Sequence, residues 1–174
     1  MLSPSFVARN QAIAVLSDPT IGFNANYVSV FGSYSGAPPM VVDFGATSLS
    51  FFTGRVAVDD IMASGTCKFP LVVVYSSIGT NNNSQKFTTF AGLVKVTIDV
   101  HLSYKASQPP KNMESWPDAV EHAMINVFNQ PAFQNRSNNL VYNGQIGYER
   151  GPLAHGAENW LQSLRFQLTF EVVV

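Results

Sequence analysis

At 174 residues the chain has the length of one domain with a single core, so the expectation is one domain over residues 1–174. Ten Lys and Arg against eleven Asp and Glu leave a formal net charge of −1, which argues against specific nucleic-acid binding, a role that usually needs a basic face. Hydrophobic residues make up 46% of the chain but charged residues only 12%, about half of the roughly 25% usual in soluble proteins, so neutral polar groups must form much of the surface, and 14 Asn and 17 Ser supply them.

Taken from the N-terminus, Ser3-Pro4 reads as a helix start, with Ser at the N-cap, Pro at the first helical position and Phe6, Ala12, Ile13 and Leu16 following. Asp18-Pro19 ends that helix. Ile21, Ala25 and Val28 fit a helical face and Tyr27 to Phe31 could alternate as a strand; a second short helix reaching to about Phe31 is favoured, after which Gly32, Gly36, Pro38 and Pro39 break the chain. Met40 to Phe44 and Ser48 to Thr53 are β-rich runs separated by Gly45-Ala46-Thr47 and are expected as a hairpin, with Arg55 to Val58 extending its second arm. Asp59-Asp60 before Ile61-Met62-Ala63 reads as one helical turn with acidic residues at its positive end.

Pro70 opens a strand over Leu71 to Tyr75. Ser76 to Gln85, with Gly79 and three successive asparagines, is expected as a mobile hairpin loop leading to a strand near Lys86. A long strand follows, in which Val94, Val96, Ile98, Val100, Leu102 and Tyr104 alternate with Lys95, Thr97, Asp99, His101 and Ser103. Ala106 to Lys111 is a connector. Ser115 is expected to cap the best helix of the chain, with Pro117 and Asp118 in its first turn and Ala119, Val120, Ala123, Met124, Val127 and Phe128 in one apolar stripe. Pro131 ends it, Gln134 to Asn139 is a polar loop, and Leu140 to Tyr148 is a weaker strand containing Gly144 and Gly147.

Gly151, Pro152 and Gly156 make the last turn before Trp160 to Val174, where Leu164, Phe166, Leu168, Phe170 and Val172 alternate with Ser163, Arg165, Gln167, Thr169 and Glu171. The two long strands imply a sheet with one dry face. An unpaired terminal strand of this length invites aggregation, so a strand, a helix or a neighbouring subunit should cover it. The order of elements predicts an α+β fold, a mainly antiparallel twisted sheet with two or three helices packed on one face.

The sparse charge lacks the repulsion that normally keeps soluble proteins apart and suits a subunit of an assembly. Cys67 is the single cysteine, without a partner for an internal disulfide or a metal pair, and is expected as a small apolar core residue. The apolar run from Phe6 is interrupted by Arg9, Asn10 and Gln11, so no signal peptide is expected, and no segment approaches the roughly 18 apolar residues that span a membrane. Asn82-Asn83-Ser84 and Asn135-Arg136-Ser137 match the glycosylation pattern and, without secretion, are read as polar loops.

Convergent polar groups of the kind catalysis needs are scarce. Gly32-Ser33-Tyr34-Ser35-Gly36 has Tyr where a nucleophile elbow needs Ser, and is read as a turn. Asp99 and His101 lie two apart on the polar face of their strand and could share a metal, but zinc needs a third and usually a fourth ligand, and His122 and His155 fall on other elements. Lys95, Thr97, Asp99 and His101 are read instead as a solvated or subunit-facing stripe. Glu114 and Asp118 favour the dipole of the helix that they open and need no further role. Phe51-Phe52 and Phe87 with Phe90 are core aromatics, since Arg55 and Lys86 are too sparse to make a nucleobase platform. The expectation is no enzyme, no metal and no cofactor.

The arrangement resembles the small neck and tail-terminator proteins of long-tailed bacteriophages, of the lambdoid-terminator type. The resemblance lies in Ser5 to Leu16 as an entry helix, in Pro70-Leu71-Val72-Val73-Val74-Tyr75, in the strand Gly92 to Tyr104, in Glu114-Ser115-Trp116-Pro117-Asp118-Ala119-Val120-Glu121 opening a helix, and in the ending Trp160-Leu161-Gln162-Ser163-Leu164-Arg165-Phe166. It implies a virion structural protein assembled in the host cytoplasm, a homohexameric ring that caps the tail tube, stops its growth and joins it to the head connector. Its partners would be further copies of itself, tail-tube and connector proteins, and a sheath protein if the tail is contractile, without specific nucleic-acid or membrane binding. Candidate subunit and partner contacts are Asn81, Asn82 and Asn83 in the loop and Lys95, Thr97, Asp99 and His101 on the strand. Alternative readings are a head-side neck adaptor, a tail-tube subunit, or a cytoplasmic α+β module that binds a small apolar ligand against the dry face.

Overall fold

The computed structural model describes residues 3–54, 65–81, 91–105, 113–130, 140–155 and 159–174, with the backbone alone for Ile78, Asn81, 140–145 and His155. Helix α1 spans Pro4–Leu16 and begins where the sequence predicts; Ser3 holds the N-cap position without a side-chain capping bond, and Pro4 sits in the first turn, where its missing N–H is harmless. Its buried residues Ala8, Ala12, Val15 and Leu16 recur at helical spacing and face the sheet. The Asp18 carboxylate then accepts the N–H groups of Thr20 and Ile21 at 2.8 and 3.0 Å, which closes the turn around Pro19. A Cβ at Gly22 would lie 2.3 Å from the Asp18 carbonyl oxygen, so only glycine lets the chain turn back here. Helix α2, Phe23–Val30, continues into a 3-10 turn at Phe31–Ser33, close to the expected limits, but it buries Phe23, Tyr27 and Val30 and not the expected face, of which Val28 is 60% exposed.

The hairpin expected from Met40 to Phe44 and Ser48 to Thr53 does not form. A turn is present, with the Ser48 N–H donating to the Gly45 carbonyl at 3.0 Å, but residues 40–44 join no strand. Side chains from the helices satisfy this segment in place of a ladder. The Asn24 amide donates to the Val42 carbonyl at 2.8 Å and accepts the Val42 N–H at 2.9 Å, as a neighbouring strand would. The Tyr27 hydroxyl donates to the Pro38 carbonyl at 2.7 Å, and the Trp116 indole N–H points at the Met40 sulfur at 3.0 Å. Burial of Met40 and Val42 against the helical layer therefore overrode their β propensity. Strand β1 is only Phe51–Thr53. The readings for Arg55 to Val58 and Asp59 to Ala63 lie outside the described residues.

Strands β2 (Leu71–Asn81), β3 (Ala91–Lys105), β4 (Leu140–Arg150), β5 (Ala154–His155) and β6 (Asn159–Val173) complete a sheet of order β1-β2-β3-β6-β4, with β5 also beside β6. The β1–β2 pair is parallel and all others are antiparallel. Ser76 to Asn81 are not loop, as expected, but strand: β2 continues through a bulge at Ser77 and pairs with β3 as far as Asn81 opposite Gly92. The long edge of β3 outweighs the turn-forming residues, and the bulge absorbs the misfit in register. The rest of that loop, 82–85, is outside the described residues. The β3–β6 ladder runs unbroken from Ala91 opposite Val173 to Lys105 opposite Asn159. Two strands of 15 residues, about 50 Å at the usual rise, thus form the middle of the sheet. The cover expected for the terminal strand comes from β3 on one side and from β4 and β5 on the other.

Helix α3 spans Ser115–Asn129, and its predicted stripe of Ala119, Val120, Ala123, Met124, Val127 and Phe128 is buried throughout. Ser115 is its first residue and not its cap; Glu114 holds that position, and the Ser115 hydroxyl donates to the Ser35 carbonyl at 2.7 Å. The three helices pack with Val72, Val74, Val94, Val96, Ile98, Val100, Leu102, Leu164, Phe166, Leu168, Phe170 and Val172 into one core. Each such side chain contributes about 1.5–3 kcal/mol on leaving water. The opposite face of β2 carries a smaller cluster of Leu71 and Val73 with Phe52, Cys67, Phe69 and Tyr75. Cys67 is half-buried there and burial pushes its thiol pKa up, which fits the apolar role expected of it. The chain is an α+β protein with a mainly antiparallel sheet and its helices on one face.

Candidate functional site

The predicted contact stripe on β3 lies on the sheet face away from the helices, and it is not uniformly solvated. Lys95 is exposed, but Thr97 is 1% exposed and Asp99 8%, while His101 is half-buried. Thr97 is 3.3 Å from the Ser77 hydroxyl, which itself donates to the Lys95 carbonyl at 3.4 Å. Asp99 is held from two sides. Arg165 of β6 donates to it from Nε at 2.8 Å and Nη2 at 3.0 Å, and the Tyr75 hydroxyl of β2 donates at 3.1 Å. These bonds outweigh partial burial and raise the Arg165 pKa above its ordinary value. Thr97 and Asp99 are thus set into the sheet as fixed polar residues. Asn81 ends β2, and Asn82 and Asn83 lie outside the described residues.

Cross-strand register builds this arrangement. Asp99 stands opposite Arg165, and Arg165 opposite Glu149 of β4; one step along, His101 stands opposite Ser163. The two rows and the turn after β4 enclose a niche of about 230 Å³ lined by Asp99, His101, Glu149, Gly151, Pro152, Ser163 and Arg165. A Cβ on Gly151 would come within 2.4 Å of the Ser163 hydroxyl, so glycine lets the turn close against β6. Burial lowers the His101 pKa below its usual 6.5, against the opposing pull of Asp99 and with a smaller push from Arg165, and so favours the neutral imidazole. The alternation that set Arg165 on the polar face was readable in the sequence. Its pairing with Asp99 needed the register.

A second polar cluster was missed. Arg150, the last residue of β4, meets three carboxylates from one face of α3: Glu114 at 2.9 Å, Asp118 at 2.5 Å and Glu121 at 2.6 Å. Burial works to lower the Arg150 pKa, but the bonds to Asp118 and Glu121 outweigh it and raise it. Glu114 and Asp118, expected only to favour the helix dipole, therefore also clamp the helix start to the sheet. The spacing of 114, 118 and 121 signalled a shared face; nothing local signalled Arg150. Nearby, the Tyr34 hydroxyl lies 2.9 Å from His122 Nδ1 in an edge-to-face contact.

Among the described residues no three His, Cys, Asp or Glu side chains converge as a metal site, and no helix is long and apolar enough to cross a membrane. The fold and its polar clusters define a helix-backed antiparallel α+β protein whose most organised polar groups fasten strand to strand and helix to sheet. Neither the known family models nor the curated proteins compared with the chain match it.

Proposed function

We propose that this chain is a virion structural protein, a bacteriophage tail-terminator subunit that forms a hexameric ring on the tail tube, stops its growth and presents a surface to the head connector. The observation that carries the reading is the sheet itself: two fully paired 15-residue strands at its centre, backed on one face by the helices, keep the order of elements on which the sequence resemblance rests. Two further features support it. A chain with only 12% charged residues suits permanent packing against like subunits, and the partly buried ion pairs are committed to holding elements together.

The reading as a module for a small apolar ligand is less favoured, because Phe23, Tyr27, Met124 and Phe128 fill the dry face that such a ligand would use. Electron microscopy of particles made without the protein tests the proposal. Overlong or unjoined tails are expected. Tails of normal length already joined to heads would overturn it, and a complete absence of tails would assign the chain to the tube instead.

A further inference from the structure

Two stretches of the sheet's rim carry backbone groups for which no described residue is a partner. The Gly151 N–H donates to the Ser163 carbonyl at 2.7 Å, which makes these two a bonded pair facing each other. Antiparallel ladders alternate bonded and non-bonded pairs, and the register from Ile146 opposite Leu168 to Arg150 opposite Leu164 is unbroken. The N–H and C=O groups of Gly147 and Glu149 therefore turn toward β6, and those of Ile146, Tyr148 and Arg150 turn outward. On the opposite rim, among the described residues, β1 covers β2 along Val72 to Val74. There the Val72 N–H donates to the Ser50 carbonyl at 2.8 Å and the Val74 carbonyl accepts the Gly54 N–H at 2.9 Å. The same alternation, carried through the bulge, turns Ser76, Gly79 and Asn81 outward beyond the end of β1.

These two edges complement each other. β2, β3, β6 and β4 alternate in direction, so β2 runs opposite to β4. A second copy shifted sideways in the plane of the sheet brings its β2 beside β4 in the antiparallel sense, with helices on the same side. Neither 76–81 nor 140–150 contains a Lys or Pro, the residues that commonly keep sheet edges apart, and the bulge between Tyr142 and Ile146 confines the regular open run to its last residues. We infer that Ile146 to Arg150 of one copy pair with Ser76 to Asn81 of the next, so that the sheet continues head to tail through the assembly. Such a heterologous contact makes a ring if its rotation closes and a filament if it does not. It supplies the seam of the proposed ring and in that respect rests on the tail-terminator reading. It also gives Asn81 a contact role through its backbone.

The test uses the full chain with Cys67→Ser and two single-cysteine forms, Gly79→Cys and Tyr148→Cys. A Cβ at Gly79 meets nothing within 4 Å, so the new side chain has room. With a short bismaleimide, the mixture is expected to give a product joining the two different chains, and neither form alone should give one. A product from Tyr148→Cys alone would mean two-fold β4 pairing and overturn the head-to-tail seam.

Sedimentation of two further variants separates backbone from side chain. Tyr148→Pro removes one outward N–H, as edge strands tolerate, and is expected to weaken self-association about tenfold, whereas Tyr148→Val keeps the N–H and should stay within about twofold of the parent. Equal weakening by both variants, or a parent that is monomeric at every concentration, would overturn the seam. A confirmed seam in a protein whose loss leaves tails normal would keep this interface and remove the tail reading.

Discussion

The two faces of the central strands are built by different rules. Toward the helices, Val94 to Tyr104 and Leu164 to Val172 bury every second residue, and each position needs only to be apolar and of fitting size. On the other face Thr97, Asp99, His101, Ser163 and Arg165 depend on which residue stands opposite, because a polar group leaves water without penalty only when a partner meets it. The first face tolerates substitution with volume conserved; the second tolerates it only where the residue opposite is still met by a partner. That contrast predicts large losses from the apolar face and smaller, partner-dependent losses from the polar one.

The largest effect is expected from deleting Phe170 to Val174, which strips the end of the central strand from both neighbours and should abolish cooperative unfolding. Retention of a normal urea transition would show that the ladder's end is dispensable. Next, Phe166→Ala should cost about 3–5 kcal/mol in urea unfolding, since Phe166 is wholly buried and its loss leaves a cavity. A loss below about 1 kcal/mol would mean that this core collapses freely.

On the polar face, Arg165→Ala leaves Asp99 buried with the Tyr75 hydroxyl and without its cation. About 1–2 kcal/mol is expected, held down by the 43% exposure of the Arg165 side chain, and Asp99→Asn combined with it should cost clearly less than the two separate losses added. Strict additivity would show that the pair is not coupled. Arg150→Ala is smaller, about 0.5–1 kcal/mol, because Glu114 is largely exposed, Asp118 partly so, and only Glu121 is well buried.

The smallest effect concerns pH. The folded His101 pKa lies below 6.5, so as pH falls the unfolded chain takes up the proton first. The contribution of neutral His101 is full above about pH 6.5 and is lost below it, until the folded residue protonates as well. His101→Gln should flatten that part of the stability–pH curve, and an unchanged curve would place the acid sensitivity elsewhere.

Much of the fold was legible because it follows from local periodicity. Helices α1, α2 and α3, the inward residues of β3 and β6 and the α+β class all came from spacing that the backbone imposes on any sequence. The hairpin at 40–53 failed because an amide from Asn24 took the place of a strand, and the loop at 76–81 became strand because β3 offered an edge long enough to extend it. Glu114 and Asp118 were read as favouring the dipole of their own helix because Arg150 lies 36 and 32 positions away. In the candidate site, Asp99 and His101 were recognised as polar-face residues, but Arg165, Tyr75, Ser163 and Glu149 joined them only through register.

The sequence by itself therefore determined which residues of β3, β6 and α3 face inward, since alternation and the 3.6-residue repeat are properties of the chain alone. Tertiary structure decided which strand lies beside which, where β2 ends, which carboxylate meets which arginine and that the last strand of the chain is the middle of its sheet. Those outcomes are pairings between distant segments, fixed by competition for hydrogen-bond partners and buried area that no local stretch of sequence contains.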